Sequence, residues 1–365
     1  MARSPYQKLE RRAFWKTGVE ARASFAASGL FRPRFAIDAQ TRVATAGSCF
    51  AQHVGRALRA AGVQVIDAEP VPDFVPDAIA RDHGYRLFSA RHGNIYTAAH
   101  LAQLAREVWD GFQPAEGVWP LGPRFVDSQR PSVEPGGHAS EAEVVWHRQR
   151  HLGCIRKAWE AADVFVFTFG LTEAFLHRAS ATVYPMAPGV LGGAYDPDRH
   201  MFHNYTVAET VAAFRDFMAL ARAVNPALRF LVTVSPVPLA ATASGDHVEV
   251  ATIRSKAILR AACDEIVQED EGVDYFPSYE IVTSQSARGR FFADNLRDVT
   301  EEGVATVMAT LRAAYGLEGT AAVDSAATER ARAREQAQDR AEDAAFDLRC
   351  EEALLNRFAG PAEAG

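Results

Sequence analysis

The stretch "TAGSCFAQH", residues 45–53, concentrates the residue types that do covalent chemistry. Ser48 and Cys49 are adjacent nucleophiles, and His53 follows Cys49 by four residues, on the same face of any helix they share. The apolar run "RVATAG" reads as the end of a strand. "AQHVGRALRAAG" keeps helical spacing through Val54, Leu58 and Ala61, and Gly62 can stop it. Both nucleophiles then sit at a helix N-terminus, where unpaired N–H groups and the macrodipole stabilise a thiolate or an oxyanion. The purely structural alternative has Cys49 packed as a small hydrophobe and Ser48 capping the helix.

The elements that must position these residues alternate along the chain. After the first strand and helix, "VQVIDA" reads as a second strand. "DVFVFTFG" (163–170) is an apolar run of strand length suited to burial on both faces. The amphipathic "VAETVAAFRDFMALARAVNP" precedes the strand "ALRFLVTVSPVPL". "IRSKAILRAACDEIVQ" precedes "GVDYFPSYEIV", and "TEEGVATVMATLRAAYG" closes the series. This alternation predicts an α/β domain over 1–317, with a parallel sheet covered on both faces. Ligands bind such sheets at the C-terminal strand ends. That rule selects "GSCFAQH", "FGLTEAF", "SPVPLAATASGDH" and "SYEIVTSQSARGRFFADN". Two regions break the rhythm. Residues 85–150 form a long insert with few strand signals and a Pro/Gly-rich excursion, "DSQRPSVEPGGHAS". Residues 318–365 are expected to form a separate helical tail. Its 318–345 part lacks an apolar stripe and reads as dispensable for folding, whereas "FDLRCEEALLNRF" is amphipathic and expected to dock.

Composition narrows the function classes. The 365 residues are 48% hydrophobic and 23% charged, with a net charge of −7, which speaks against a general nucleic-acid binder. No apolar run approaches the ~18 residues of a membrane span, and the N-terminus lacks the apolar core of a secretory signal. The cysteines at 49, 154, 263 and 350 show no CxxC spacing and are expected to be thiols in a reducing cytoplasm. Neither a strand-linked GxGxxG nor a GxxxxGK[ST] is present, so no nucleotide cofactor is expected. In "HRQRHLGC", His147, His151 and Cys154 have a metal-like spacing. The interleaved arginines and missing fourth ligand favour a solvated helix face, so no metal is expected. Arg124 and Arg130 in "RFVDSQRP" are candidates for holding an acidic substrate.

Six blocks in order give the sequence a family resemblance. They are "GSCFA" (47–51), "GNIYT" (93–97), "FTFGLTEAF" (167–175), "TVSPVPLAAT" (233–242), "SKAILRAA" (255–262) and "YFPSYEI" (275–281). Over about residues 35–315 the chain resembles the GSCFA family, a divergent relative of the GDSL or SGNH esterases and acyltransferases. The resemblance implies a flavodoxin-like three-layer α/β/α sandwich with about five parallel strands and a nucleophile after the first. An ungapped match to the esterase Gly-Asp-Ser puts Cys49 at the nucleophile and Ser48 at the preceding acid; a slip of one residue makes Ser48 the nucleophile. Gly93 and Asn94 fall at the second block's oxyanion donor. Gly170, Leu171 and Thr172 fall on the third block's Gly-x-Asn, with Thr172 replacing the Asn and Glu173 beside it.

The esterases' last block, Asp-x-x-His, is where this chain departs. "FFADNLRDVT" offers Asn295 and Asp298 but no His. A nucleophile needs a base within reach, and three histidines are candidates: His53, His203 and His247. The strand-edge rule and its neighbour Asp246 select His247. The implied activity is hydrolysis or transfer of acyl groups, most plausibly acetyl on a carbohydrate hydroxyl, with a small-molecule or glycan substrate. The alternative is a non-catalytic descendant that binds a glycan or partner through the same cleft. Oligomeric state is not legible.

Overall fold

The structure, a computed structural model, describes residues 4–25, 28–317 and 351–360. The expectation for 318–345 lies outside them. In chain order the strands are β1 (Arg42–Gly47), β2 (Gln64–Val65), β3 (Val118–Leu121), β4 (Arg124–Asp127), β5 (Val164–Phe169), β6 (Glu173–His177), β7 (Val183–Tyr184), β8 (His200–Asn204), β9 (Arg229–Val234) and β10 (Val273–Tyr275). The helices are α1 (Phe50–Ala60), α2 (Asp77–Asp82), α3 (Ala98–Trp109), α4 (Glu141–Ala161), α5 (Val207–Val224), α6 (Val248–Glu269), α7 (Ser278–Thr283) and α8 (Glu301–Tyr315). A 3-10 helix spans Glu351–Phe358.

Five strands form one parallel sheet in the order β10-β9-β5-β1-β2, as the alternation predicted. β5 is central and buried at all six positions, which is why its sequence is continuously apolar. Its alternating side chains feed two cores. Phe165, Phe167 and Phe169 pack with apolar residues of α3, α4, α5 and α6, such as Leu101, Trp159, Phe214 and Leu259. Val164 and Val166 pack on the opposite face with residues of α1, α7 and α8, such as Leu58, Ile281 and Leu311. The result is a three-layer α/β/α sandwich of flavodoxin-like order.

From β1 the chain crosses first to β2 on one side and then to β5 on the other. The strand order therefore reverses between β1 and β5, and the crevice at their C-terminal ends is where such sheets bind ligands. Gly47, at the end of β1, has φ +137°, and a Cβ there would lie 2.5 Å from the Thr168 carbonyl oxygen. Only glycine lets β1 close so tightly on β5 before the turn.

Two smaller sheets were not legible in the sequence. β3 and β4 form an antiparallel hairpin inside the 85–150 insert, and β7-β6-β8 form a three-stranded antiparallel sheet after the "FTFG" segment. These strands are two to five residues long, too short to give a period. The insert is also no solvated excursion. It buries Arg130 against Asp127 at 2.8 Å and Arg148 against Glu107 at 2.6 Å. No helix among the described residues is long and apolar enough to cross a membrane.

Candidate active site

Ser48 extends the β1–β5 ladder by one step, its N–H donating to the Thr168 carbonyl at 3.1 Å. Cys49 then occupies the N-cap position of α1 with helical φ and ψ. The "GNIYT" segment crosses over this turn. Ile95 N–H donates to Gly47 O at 2.9 Å, and the N–H groups of Gly170 and Leu171 both donate to Tyr96 O, at 2.9 and 3.3 Å. Gly170 is the point of closest approach. A Cβ there would meet Tyr96 Cδ1 at 2.9 Å and Ser48 Cβ at 3.1 Å.

Ser48, Cys49, Tyr96, Gly170, Leu171, Ser235, Val237, Leu239 and Lys256 enclose a small cavity at this point. The Ser48 side chain caps nothing. Its Oγ is buried and has no hydrogen-bond partner among the described residues. Lys256 is only 2% exposed, and its Nζ donates to the Gly170 carbonyl at 2.6 Å. Gly170 thus touches the serine on one side and accepts from the lysine on the other.

The remaining candidates are placed elsewhere. Thr172 is buried beneath the cavity and does not line it. Its hydroxyl donates to Asn204 Oδ1 at 2.6 Å and its N–H to Ser255 Oγ at 3.0 Å, so both donors that could hold an oxyanion are spent internally. Gly93 and Asn94 lie in the crossing segment but outside the lining. Glu173 accepts from Thr242 Oγ1 at 2.6 Å and from Ala243 N–H at 3.4 Å, tying β6 to the loop after β9.

None of the three histidines reaches the cavity wall. His247 is the N-cap of α6, exposed, its Nδ1 accepting from Glu249 N–H at 3.2 Å; Asp246 is exposed beside it, 3.9 Å from Arg254. The edge rule brought that loop to the right end of the sheet, but capping turned the imidazole outward. His203 Nε2 lies 3.0 Å from Glu209 Oε1, in the capping box of α5. His53 stands on α1 with its ring against Phe50 and its Nδ1 3.3 Å from Arg56. Asn295 and Asp298 bond to each other in the loop before α8.

The metal-like spacing in α4 also resolves differently from the expectation of a solvated face. His151 is fully buried with Nδ1 2.7 Å from Glu69 Oε2. Burial, with Arg130 close by, pushes its pKa down to about 3. His147 instead lies near His138 and Glu143, with candidate ligand atoms within 4.8 Å of one another. Glu143 has a structural task there, accepting from Ala139 N–H at 2.8 Å at the start of α4. Arg124 donates to the Gly137 carbonyl and Arg130 to Asp127, so both candidate anion holders are engaged.

Lys256 was missed, although a signal exists. It precedes Leu259, Cys263 and Ile266 by three, seven and ten residues, in phase with the buried stripe of α6. A lysine on an apolar stripe is a charge that the fold must accommodate, and such groups concentrate at functional sites.

The family model of the GSCFA family matches residues 42–311. The chain belongs to the GSCFA family. The match runs from β1 into α8 and contains every residue that lines the small cavity. Neither a curated protein nor a solved structure matches the chain.

Proposed function

We propose that this GSCFA protein is an acyl-ester hydrolase or acyltransferase in which Ser48 carries the acyl group and Lys256 moves the proton. One observation carries the reading. Ser48, whose buried hydroxyl has no hydrogen-bond partner among the described residues, lines the same small cavity as the buried Lys256, at the crevice where the strand order reverses. Leaving a buried polar group unpaired costs about 1–3 kcal/mol, and burying an ammonium costs more. Such costs persist where function requires them.

The chemistry balances with these groups. Lys256 Nζ, in its uncharged form, takes the Ser48 proton as Oγ bonds to the ester carbonyl carbon. The resulting oxyanion is stabilised by the positive end of the α1 dipole; of the first-turn N–H groups, those of Ala51 and Gln52 already donate to the Ser48 and Cys49 carbonyls. Collapse breaks the C–O bond to the alcohol, which leaves with the proton from Nζ. Water or an acceptor hydroxyl then repeats the sequence in reverse and frees Ser48. A serine–lysine pair replacing a serine–histidine pair is a known variant of this logic, and it accounts for the missing Asp-x-x-His. A carbohydrate hydroxyl as the acceptor rests on fold-level analogy to sugar-ester enzymes.

A second reading has its own observation. The Gly170 N–H and both Thr172 donors are already used inside the protein. A cleft stripped of these oxyanion donors suits a glycan- or partner-binding protein without turnover.

The variants Ser48→Ala, Cys49→Ala and Lys256→Met, each checked for a cooperative melt, separate the readings on p-nitrophenyl acetate and an acetylated glycan. Ser48→Ala and Lys256→Met should each lose roughly a thousandfold or more in kcat, and Cys49→Ala less than about tenfold. Loss confined to Cys49→Ala would restore the ungapped match with Cys49 as nucleophile. An unmutated protein without turnover would favour the binding reading.

A further inference from the structure

A second, larger cleft adjoins the Ser48 cavity. Tyr96, Leu171 and Leu239 line both spaces, so the two are neighbours that share a wall. The cleft has an empty volume of about 890 Å³, part of it open to solvent. Its walls are built from β6 and β7 and from the loop after β9, with Phe175, Tyr184, Pro185, Met186 and Val190 among them. Leu355 of the 3-10 helix Glu351–Phe358 adds a further apolar contact, so the amphipathic end of the tail docks here.

The polar groups on these walls are turned to other tasks. The Tyr184 hydroxyl donates to the Ala115 carbonyl at 2.9 Å, leaving its ring toward the cleft. The Glu173 carboxylate accepts from Thr242 Oγ1 and Ala243 N–H. A sugar ring would need a set of unspent donors and acceptors, whereas an alkyl chain needs only apolar area removed from water.

We infer that the cleft seats the acyl chain of the substrate, and that this chain is an unbranched apolar one longer than acetyl, of medium length. This rests on Ser48 as the acylated residue: the carbonyl sits in the small cavity and the alkyl tail runs past Leu171 and Leu239 into the larger cleft. The alcohol side of the ester is not constrained by the cleft.

The test uses the full chain and two separate readouts. For p-nitrophenyl esters of two, four, six and eight carbons, kcat/KM should rise by about fourfold per added methylene, the fold-change equivalent of about 0.8 kcal/mol. In calorimetric titrations decanoate should bind and acetate should not, in the unmutated protein and in Ser48→Ala alike. Ala187→Trp and Ala241→Phe, at two positions that line the larger cleft and not the Ser48 cavity, should abolish the chain-length preference and weaken decanoate at least tenfold. They should leave acetyl-ester turnover within about threefold. A flat or falling chain-length series with persistent acetyl turnover would overturn the inference and leave Ser48's role intact. Decanoate binding that neither cleft variant weakens would also overturn it. Decanoate binding that both variants weaken, with no ester of any length turned over, would support the seat while removing Ser48's catalytic role.

Discussion

Gly170 decides whether the cavity exists. Its carbonyl accepts from Lys256 Nζ, and its missing side chain leaves room for both Tyr96 and Ser48. A methyl group would push on an aromatic ring held by backbone bonds and on a serine fixed in the sheet, so neither neighbour can move cheaply. Gly170→Ala should therefore cost about 1–3 kcal/mol in urea unfolding, as overpacking does. It should also depress ester turnover more than stability alone explains, because Ser48 and Lys256 are displaced together. A variant with unchanged stability and turnover would mean that the crevice is looser than these contacts require. The choice between Ser48 and Cys49 belongs to this scale as well. Both line the cavity, but it is the Ser48 hydroxyl that is buried without a hydrogen-bond partner among the described residues.

At the scale of elements, the insert is a second support for the site and carries its own acid sensitivity. α3 and α4 bury His100 and His151. Burial is the main reason both pKa values fall to about 3, with Arg148 adding to the effect at His100 and Arg130 at His151. In the unfolded chain each histidine returns to about 6.5. Between pH 6.5 and 3 the unfolded state therefore binds more protons than the folded one, and stability falls as pH falls through that window. By pH 5 the loss should be about 2 kcal/mol for each histidine relative to pH 7. Denaturant titrations at pH 7, 6 and 5 should show it, and His100→Gln should flatten the profile in part, with His151 and with His92 and His147, whose pKa values burial also lowers, carrying the rest. A stability independent of pH across this window would contradict the burial of these two imidazoles.

At the scale of the whole molecule, what the sequence disclosed follows from where each signal lies. The parallel sheet was legible because β5 and β9 are continuous apolar runs and α5 is strongly amphipathic. The strand-to-helix turn at Ser48 and Cys49 was legible because glycine, nucleophile and helix are contiguous. His247 looked like the base because it follows the correct strand, yet a loop residue's direction depends on the helix it caps. Lys256 was passed over although its phase with the apolar stripe of α6 was legible, because only the packed helix brings its Nζ to the Gly170 carbonyl. The β3–β4 hairpin and the β7-β6-β8 sheet were illegible because strands this short derive their stability from partners distant in sequence.

The proposed reactive group of this GSCFA protein is the hydroxyl of Ser48, which lines the same cavity as Lys256. A serine-directed fluorophosphonate tests it without knowledge of the substrate. After incubation at neutral pH, intact mass should show one adduct, and fragmentation of the tryptic peptide 43–56 should place it on Ser48 rather than Cys49. Labelling should vanish in Ser48→Ala and slow by about a hundredfold or more in Lys256→Met. No adduct in the unmutated protein, or an adduct that persists in Ser48→Ala, would contradict the claim.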